Sequence, residues 1–155
     1  MSKPLVFMMG RSPTFLPTDR MYATNHMWAL PVDGRFRLGL SAYAVKLLGD
    51  LSDLDWSIEP GATIGKGQPI GSIEGSKATS ELYSPLDGRV EQINPAAVDD
   101  PSLINSNLYD TGWLWTIDGP GDSLLSPETY YAHLEVSWPL AERMLKKQAG
   151  DSHGR

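Results

Sequence analysis

Apolar and polar residues alternate over several short stretches of the chain, and the alternation is broken repeatedly by glycine and proline. Period-two segments with such punctuation predict short strands joined by tight turns, so the fold is expected to be mostly β. In "NHMWALPVDGRFRLGL" the Asp33-Gly34 pair supplies a two-residue hairpin turn, and Phe36, Leu38 and Leu40 alternate after it. The period then changes. Ser41 can cap a helix in which Ala42, Val45 and Leu48 recur at helical spacing, and Gly49 stands where such a helix ends. In "LSDLDWSI" one face carries Leu54, Trp56 and Ile58 and the other Asp53, Asp55 and Ser57, which predicts a half-buried strand stopping at Glu59-Pro60-Gly61. "NPAAVDDPSLIN" reads as a loop or short helical turn, and "GWLWTI" places Trp113, Trp115 and Ile117 on one face of a strand. Near the C-terminus Ser126 can cap a helix that has Pro127 at its first position and Tyr130 and Leu134 on one stripe. Pro139 then predicts a kink or two short helices.

Between two similar runs, "GATIGKGQPIGSIE" and "SPLDGRVEQIN", each a glycine-containing turn followed by a short alternating segment, lies Lys77. This echo is too short to count as a repeat, but it would make Lys77 the apex of a pair of hairpin arms. Gly75, Ser76 and Ala78 around it leave nothing bulky to pin the side chain, so its ammonium group is expected to project into solvent. An exposed turn lysine is commonplace, and spacing alone assigns it no role.

Composition narrows the functions open to the chain. With 155 residues, 41% of them hydrophobic, it can build one ordinary core. Thirteen basic against nineteen acidic residues give a formal charge of −6, which argues against nucleic acid and anionic membrane surfaces as partners. Having no cysteine removes thiolate nucleophiles and Cys-based metal sites, so any redox chemistry requires a cofactor. No apolar run approaches the ~20 residues of a membrane span. Lys3, Arg11 and Arg20 give the start of the chain a basic, acid-poor bias. Residues 1–19 are therefore expected to be a disordered or loosely docked extension, 20–147 the domain, and 148–155 a disordered tail.

Glu74, Lys77, Ala78, Ser84, Pro85 and Gly88 form the pattern Glu-x-x-Lys-Ala followed by Ser-Pro-x-x-Gly, which resembles the lipoyl attachment site of glycine cleavage system H proteins. The resemblance covers about residues 20 to 135 and includes "YATNHMW", "GLSAYAVKLLGD", "PGATIGKGQPIGSIE" and "NLYDTGWLWTI" in the family's order. It implies a lipoyl-domain-like sandwich of small antiparallel sheets, a barrel-sandwich hybrid, with a short internal helix and C-terminal helices. It also implies lipoic acid in amide linkage on Lys77, with Glu74, Gly75, Ser76, Ala78 and Glu81 around the attachment point. The chain is then a monomeric carrier and not an enzyme. Its implied partners are glycine decarboxylase, aminomethyltransferase, dihydrolipoyl dehydrogenase and the lipoate ligase or transferase that modifies it. A bacterial cytoplasm is the expected location, with a mitochondrion as the lesser option.

The sequence departs from the family's pattern at several places. His26-Met27-Trp28 stands where the family usually has His-Glu-Trp, and Asn25 where relatives often have Glu, so a carboxylate able to face a cationic cargo is missing from this strand. Glu81 keeps the acid that the family often has, as Asp, four residues after the lysine. "EGSKA" replaces the commoner Glu-Ser-Val-Lys-Ala, a change a hairpin tip should tolerate. The alternatives are a lipoate-binding carrier of another pathway, such as sulfur-compound oxidation, or a cofactor-less paralogue acting as a binding protein. His26, His133 and His153 are far apart in the chain and lack metal-site partners; Asp53, Asp55, Asp99 and Asp100 read as solvated faces or turn formers, and the five tryptophans as core.

Overall fold

A computed structural model describes residues 3–153, with side chains for 3–147. The chain forms β1 (Leu5–Met9), β2 (Ser12–Leu16), β3 (Met21–Tyr22), β4 (Met27–Val32), β5 (Arg35–Leu40), α1 (Ala42–Leu48) and β6 (Leu51–Trp56). It continues with β7 (Thr63–Ile64), β8 (Pro69–Gly75), β9 (Thr79–Tyr83), β10 (Gly88–Ile93), α2 (Pro95–Asp99), α3 (Ser102–Ser106), β11 (Trp115–Asp118) and α4 (Pro127–His153). Three antiparallel sheets result: the β1-β2 hairpin, a six-stranded sheet of order β3-β4-β5-β11-β10-β7, and a three-stranded sheet of order β6-β8-β9. None closes into a barrel among the described residues.

Alternation along β4 shows how one strand serves two cores. Met27 and Ala29 join the apolar layer between the larger sheets, together with Leu38, Ile73, Leu82 and Trp115. Trp28 faces the other way, into a second cluster of Phe7, Leu16, Tyr22, Tyr43, Tyr130 and Leu134. The predicted turn at Asp33-Gly34 is present, with both residues at positive φ. The predicted helix α1 is present too: the Ser41 hydroxyl accepts from the Ala44 amide, and the Gly49 amide closes on the Val45 carbonyl.

Several expectations are corrected. The start of the chain is not a loose extension: Leu5 pairs with Leu16 through Met9 with Ser12, and Phe7, Met9 and Leu16 are buried in the second cluster against α4 and α1. Both faces of "LVFMM" are apolar, which hides the period of two, while the Gly10 turn at φ 62° makes the hairpin. Helix α4 is one continuous helix through Pro139, which corrects the alternative of two separate short helices. The carbonyl that loses its amide partner there belongs to Glu135, which is exposed, so water can satisfy it. The backbone of 148–153 extends the same helical ladder where a tail was expected, and residues 154–155 lie outside the described residues. Trp113 does not share a face with Trp115. It precedes β11 in a turn, where the Asn94 amide binds its carbonyl, and packs into the second cluster while Trp115 belongs to the first. "NPAAVDDPSLIN" forms both α2, capped by the Asn94 side chain, and α3, before which the Asp100 carboxylate accepts from the Ser102 amide.

Candidate functional site

Lys77 stands at the turn joining β8 to β9. Glu74 opposite Thr79 is the last ladder pair, and the Gly75 amide donates to the Ala78 carbonyl, leaving Ser76 and Lys77 as the two central residues. The apex expected from the sequence is therefore the β8-β9 turn; of the two echoing runs, the first supplies β7 and β8, and the second supplies β10, which pairs with β7 in the other sheet. A free hairpin tip would move with its strands. This one is bonded from outside: the Ser76 amide donates to the Asp50 carbonyl, the Lys77 amide to the Leu48 carbonyl, and the Ser76 hydroxyl accepts from the Asp50 amide. The end of α1 and the link to β6 thus hold the tip's backbone, while the Lys77 side chain stays exposed.

Such a close approach depends on two glycines. A Cβ on Gly75 would lie 2.1 Å from the Leu48 carbonyl oxygen, and one on Gly49, already at φ 85°, would lie 2.3 Å from the Ser76 hydroxyl. The Gly75 position therefore does not tolerate a side chain in this backbone. Gly75→Ala is predicted to cost about 1–3 kcal/mol in urea unfolding, because the obstacle is backbone and cannot rotate away. A midpoint equal to wild type would show that the contact to α1 is dispensable.

Two lysines share this corner, and only one is free. The Lys46 ammonium donates to the Ser12 hydroxyl at 2.8 Å and to the Pro13 carbonyl, and burial pulls its pKa down. The Lys77 ammonium has one long contact, 3.5 Å to the Lys46 carbonyl, and no carboxylate among the described residues pairs with it.

Beside α1 and the tip's own strands lies a cavity of about 230 Å³ with mostly apolar walls. Met27, Leu40 and Ile73 contribute from three strands, Leu47 and Leu48 from α1, and Asn25, His26, Ser80 and Glu81 add its polar groups. Glu81 is the only carboxylate in that lining and is exposed. Met27 is 1% exposed and gives the cavity an apolar wall. Asn25 turns its amide to the Tyr83 carbonyl at 2.9 Å. Of the residues singled out in the sequence, Gly75, Ser76, Lys77 and Ala78 meet in the turn and Glu81 reaches the cavity. Glu74 is exposed on β8 and does not line it.

His26 is the site residue that sequence reasoning assigned only a default structural role. It occupies the turn between β3 and β4 at φ 74°, a backbone region that costs a non-glycine residue free energy. The surroundings fix it there. Its amide donates to the Ala23 carbonyl, its carbonyl accepts from Ser41, and its ring lies against Tyr43 with Nδ1 2.8 Å from the Tyr130 hydroxyl, itself 2.9 Å from the Ser41 hydroxyl. Burial raises the pKa of Tyr130, so its proton stays in place, and either direction of donation along this chain is compatible with a neutral His26. The fold also brings His133 to 5.7 Å from the His26 ring, although the two are distant in sequence. No group of three or more His, Cys, Asp or Glu forms a metal cage among the described residues, and the side chain of His153 lies outside them.

Burial, and secondarily His133, lower the pKa of His26 from 6.5 to about 4. An unfolded chain takes up this proton near pH 6.5 and the folded one only near pH 4. Stability present above pH 6.5 is therefore lost as pH falls through that window, by on the order of 2–3 kcal/mol. Urea midpoints between pH 7 and pH 4 should show the slope. In His26→Asn, whose side chain tolerates left-handed backbone, it should flatten; an identical slope would place the titration elsewhere.

A family profile described as "Glycine cleavage H-protein" matches residues 20–135. The glycine cleavage system H protein of Thermobifida fusca (strain YX) is 42% identical over 118 residues, covering 74% of this chain and 92% of that one. The H protein of Listeria innocua serovar 6a is 38% identical over 124 residues, 77% of this chain and 98% of its own. Among solved structures, the H protein of Mycobacterium marinum superposes with a TM-score of 0.69 at 35% identity, over 77% of this chain and 98% of that one. The profile match begins after the β1-β2 hairpin and ends inside α4.

Proposed function

The chain belongs to the glycine cleavage H-protein family, and from that premise we propose that it is the lipoyl-bearing carrier of a glycine cleavage system, modified on Lys77 and passing an aminomethyl group from glycine decarboxylase to aminomethyltransferase. The observation that carries this reading is an unpaired, exposed lysine on a backbone turn held by α1, next to a largely apolar cavity.

The residues fit the group. Amide formation needs an amine that is accessible and not committed to a carboxylate, and Lys77 offers one. An acyl tail needs an apolar resting place, and Met27, Leu40, Leu47, Leu48 and Ile73 line one beside the tip. When bound, the lipoyl group supplies a disulfide that opens to take up cargo at sulfur. The protein's own part is to bind and position. The two hydrogen bonds donated by the Ser76 and Lys77 backbone amides fix the attachment point, Gly75 and Ala78 keep the turn narrow enough for a modifying enzyme to reach the lysine, and the apolar walls exclude water. Glu81 places a carboxylate at the cavity lining, where it can hold a cationic amine by a charge-assisted hydrogen bond. Buried Met27 and neutral Asn25 and His26 add no charge to that task. Dihydrolipoyl dehydrogenase and a lipoate ligase or transferase complete the set of partners, each meeting a single carrier chain in the cytoplasm.

A second reading, a lipoyl carrier serving sulfur-compound oxidation, is favoured by one observation: Met27 makes an apolar wall where a cationic cargo is better served by an acid. The test is to coexpress the full chain with a lipoylation system, measure its intact mass, and assay glycine-dependent exchange of labelled bicarbonate with glycine decarboxylase. One lipoyl increment and exchange support glycine cleavage. A lipoylated protein that dihydrolipoyl dehydrogenase reduces but that supports no exchange favours the second reading, and an unmodified protein beside a modified control carrier overturns both.

A further inference from the structure

The far half of α4 carries an apolar stripe turned to solvent. Val136, Leu140 and Met144 recur every fourth residue and are 69%, 56% and 64% exposed, more than any other large hydrophobic side chain among the described residues. Contacts elsewhere on the helix fix which way this stripe looks. Tyr130 and Leu134 are fully buried in the second cluster, and Trp138 meets the Tyr43 ring edge-on. Tyr131 meets Phe7, and the Glu142 carboxylate lies 3.8 Å from where a Cβ on Gly10 would stand, so a second side of the helix lies along the N-terminal hairpin. At about 100° per residue the stripe faces away from both. It begins where the family match ends, at residue 135.

Charge divides in the same way. Glu128, Glu135 and Glu142 recur every seventh residue, which puts them on the hairpin side, with Lys146 four residues after Glu142. Arg143 and Lys147 border the stripe instead, and between Val136 and Lys147 the only carboxylate is Glu142. Arg143 has no ion pair among the described residues, and none of its neighbours three or four positions away is acidic. The next acid along the chain, Asp151, comes about two turns beyond Met144. On the side where His133 meets His26, the one carboxylate of the adjoining cavity is Glu81. In a chain of net charge −6 this face is therefore basic. It also stands at the corner of the arm. Gly10, beside Glu142, starts the turn into β2, whose Ser12 and Pro13 hold the Lys46 ammonium, and the Lys46 carbonyl is the one acceptor near the Lys77 ammonium among the described residues.

On the carrier reading above, we propose that the face built from Val136, Leu140 and Met144 docks the enzyme that loads the Lys77 arm, through an apolar surface bordered by carboxylates. A loading enzyme meets an arm without cargo, so it has only the lipoyl group and the protein surface to recognise, whereas a receiving enzyme can also read the cargo. Apolar contact supplies the adhesion, and Arg143 and Lys147 select an acidic rim and steer the encounter. A second copy fits worse, because pairing the stripe with itself about a two-fold axis leaves Arg143 of both copies facing a stripe that holds no carboxylate. An anionic membrane fits worse too, since three apolar side chains bury little and the chain as a whole is acidic.

The test uses the full lipoylated chain and its Leu140→Gln and Arg143→Glu variants, after intact mass and reduction by dihydrolipoyl dehydrogenase have established that each carries a working arm. In bicarbonate exchange with the glycine decarboxylase of the same organism, each substitution should raise the KM for the carrier about tenfold and leave kcat unchanged. The wild-type KM should rise with salt, and less steeply in Arg143→Glu. Both side chains are exposed, so urea midpoints should match the wild type. An unchanged KM in both variants, or a fall in kcat alone, overturns the docking face and leaves the carrier reading standing. No exchange by a wild type with a working arm overturns both. A wild-type dimer that either substitution dissociates in sedimentation assigns the face to a second copy. Binding to phosphatidylcholine–phosphatidylserine vesicles that either substitution abolishes assigns it to a membrane, and each of these two results overturns enzyme docking.

Discussion

Lys77→Arg is expected to fold like the wild type and to take up no lipoyl group at all. The guanidinium keeps the positive charge but cannot form the amide with a lipoyl carboxyl group. The backbone hydrogen bonds that build the turn come from the amides of Gly75, Ser76 and Lys77, which the substitution leaves in place, and the side chain's one contact is a 3.5 Å approach to a carbonyl. Loss of modification can therefore be assigned to the amine itself. Lys46 is the internal control, since it occupies the same corner with its ammonium engaged by Ser12 and Pro13. Lys46→Arg should remain modified. Intact mass and peptide mapping after coexpression with a lipoylation system decide the matter: a lipoyl increment surviving in Lys77→Arg, or lost in Lys46→Arg, would move the attachment point.

Stopping the chain at Leu125 should abolish the cooperative fold. That truncation removes Tyr130 and Leu134, both fully buried in the second cluster, and Trp138 beside them. It strips the cover from Tyr22, whose ring stacks on Tyr130 at 4.6 Å, and from Phe7, which meets Tyr131 edge-on at 5.3 Å. Losing a buried leucine costs about 2–5 kcal/mol and losing a buried aromatic about 3–5. Together these reach the 5–15 kcal/mol or so that holds an ordinary domain. The Tyr130 hydroxyl also satisfies Ser41 and His26, so the cap of α1 and the turn before β4 lose a partner at once. Near-ultraviolet circular dichroism should collapse and the urea transition lose its sigmoid shape. A truncated protein with an undiminished midpoint would show that α4 lies on the fold without supporting it.

What was legible in the sequence was local. Asp33-Gly34 specifies its turn by two residues' backbone preferences, Ser41 and Gly49 mark the ends of α1 by hydrogen bonds within one helical turn, and the strands on either side of Lys77 alternate plainly enough to place it at an apex. The cavity was not legible, because α1 and strands of the six-stranded and three-stranded sheets meet there through contacts distant in sequence. Nothing near His26 announces a left-handed residue, since its partners are Ser41, Tyr43 and Tyr130. The N-terminal hairpin was missed for the opposite reason: with Val6, Phe7, Met8 and Met9 all apolar, neither face is marked, and only packing against Tyr43 and Tyr131 decides which side is inner. Pro139 does not divide α4 into two helices because the carbonyl that loses its amide partner belongs to Glu135, which is exposed to solvent.

The bonds that tie the Lys77 turn to the end of α1 also set a search radius. With the anchoring Cα held still, a group tethered to the Lys77 side-chain nitrogen explores a sphere whose centre does not wander, and its range is set by side-chain torsions alone. Docking any enzyme within that sphere gives the tethered group an effective concentration on the order of millimolar without a new contact to the group itself. Loosening the turn, as Gly75→Ala would, enlarges the sphere and dilutes its contents, so its penalty should appear in transfer rate between partners even where the attachment chemistry is intact.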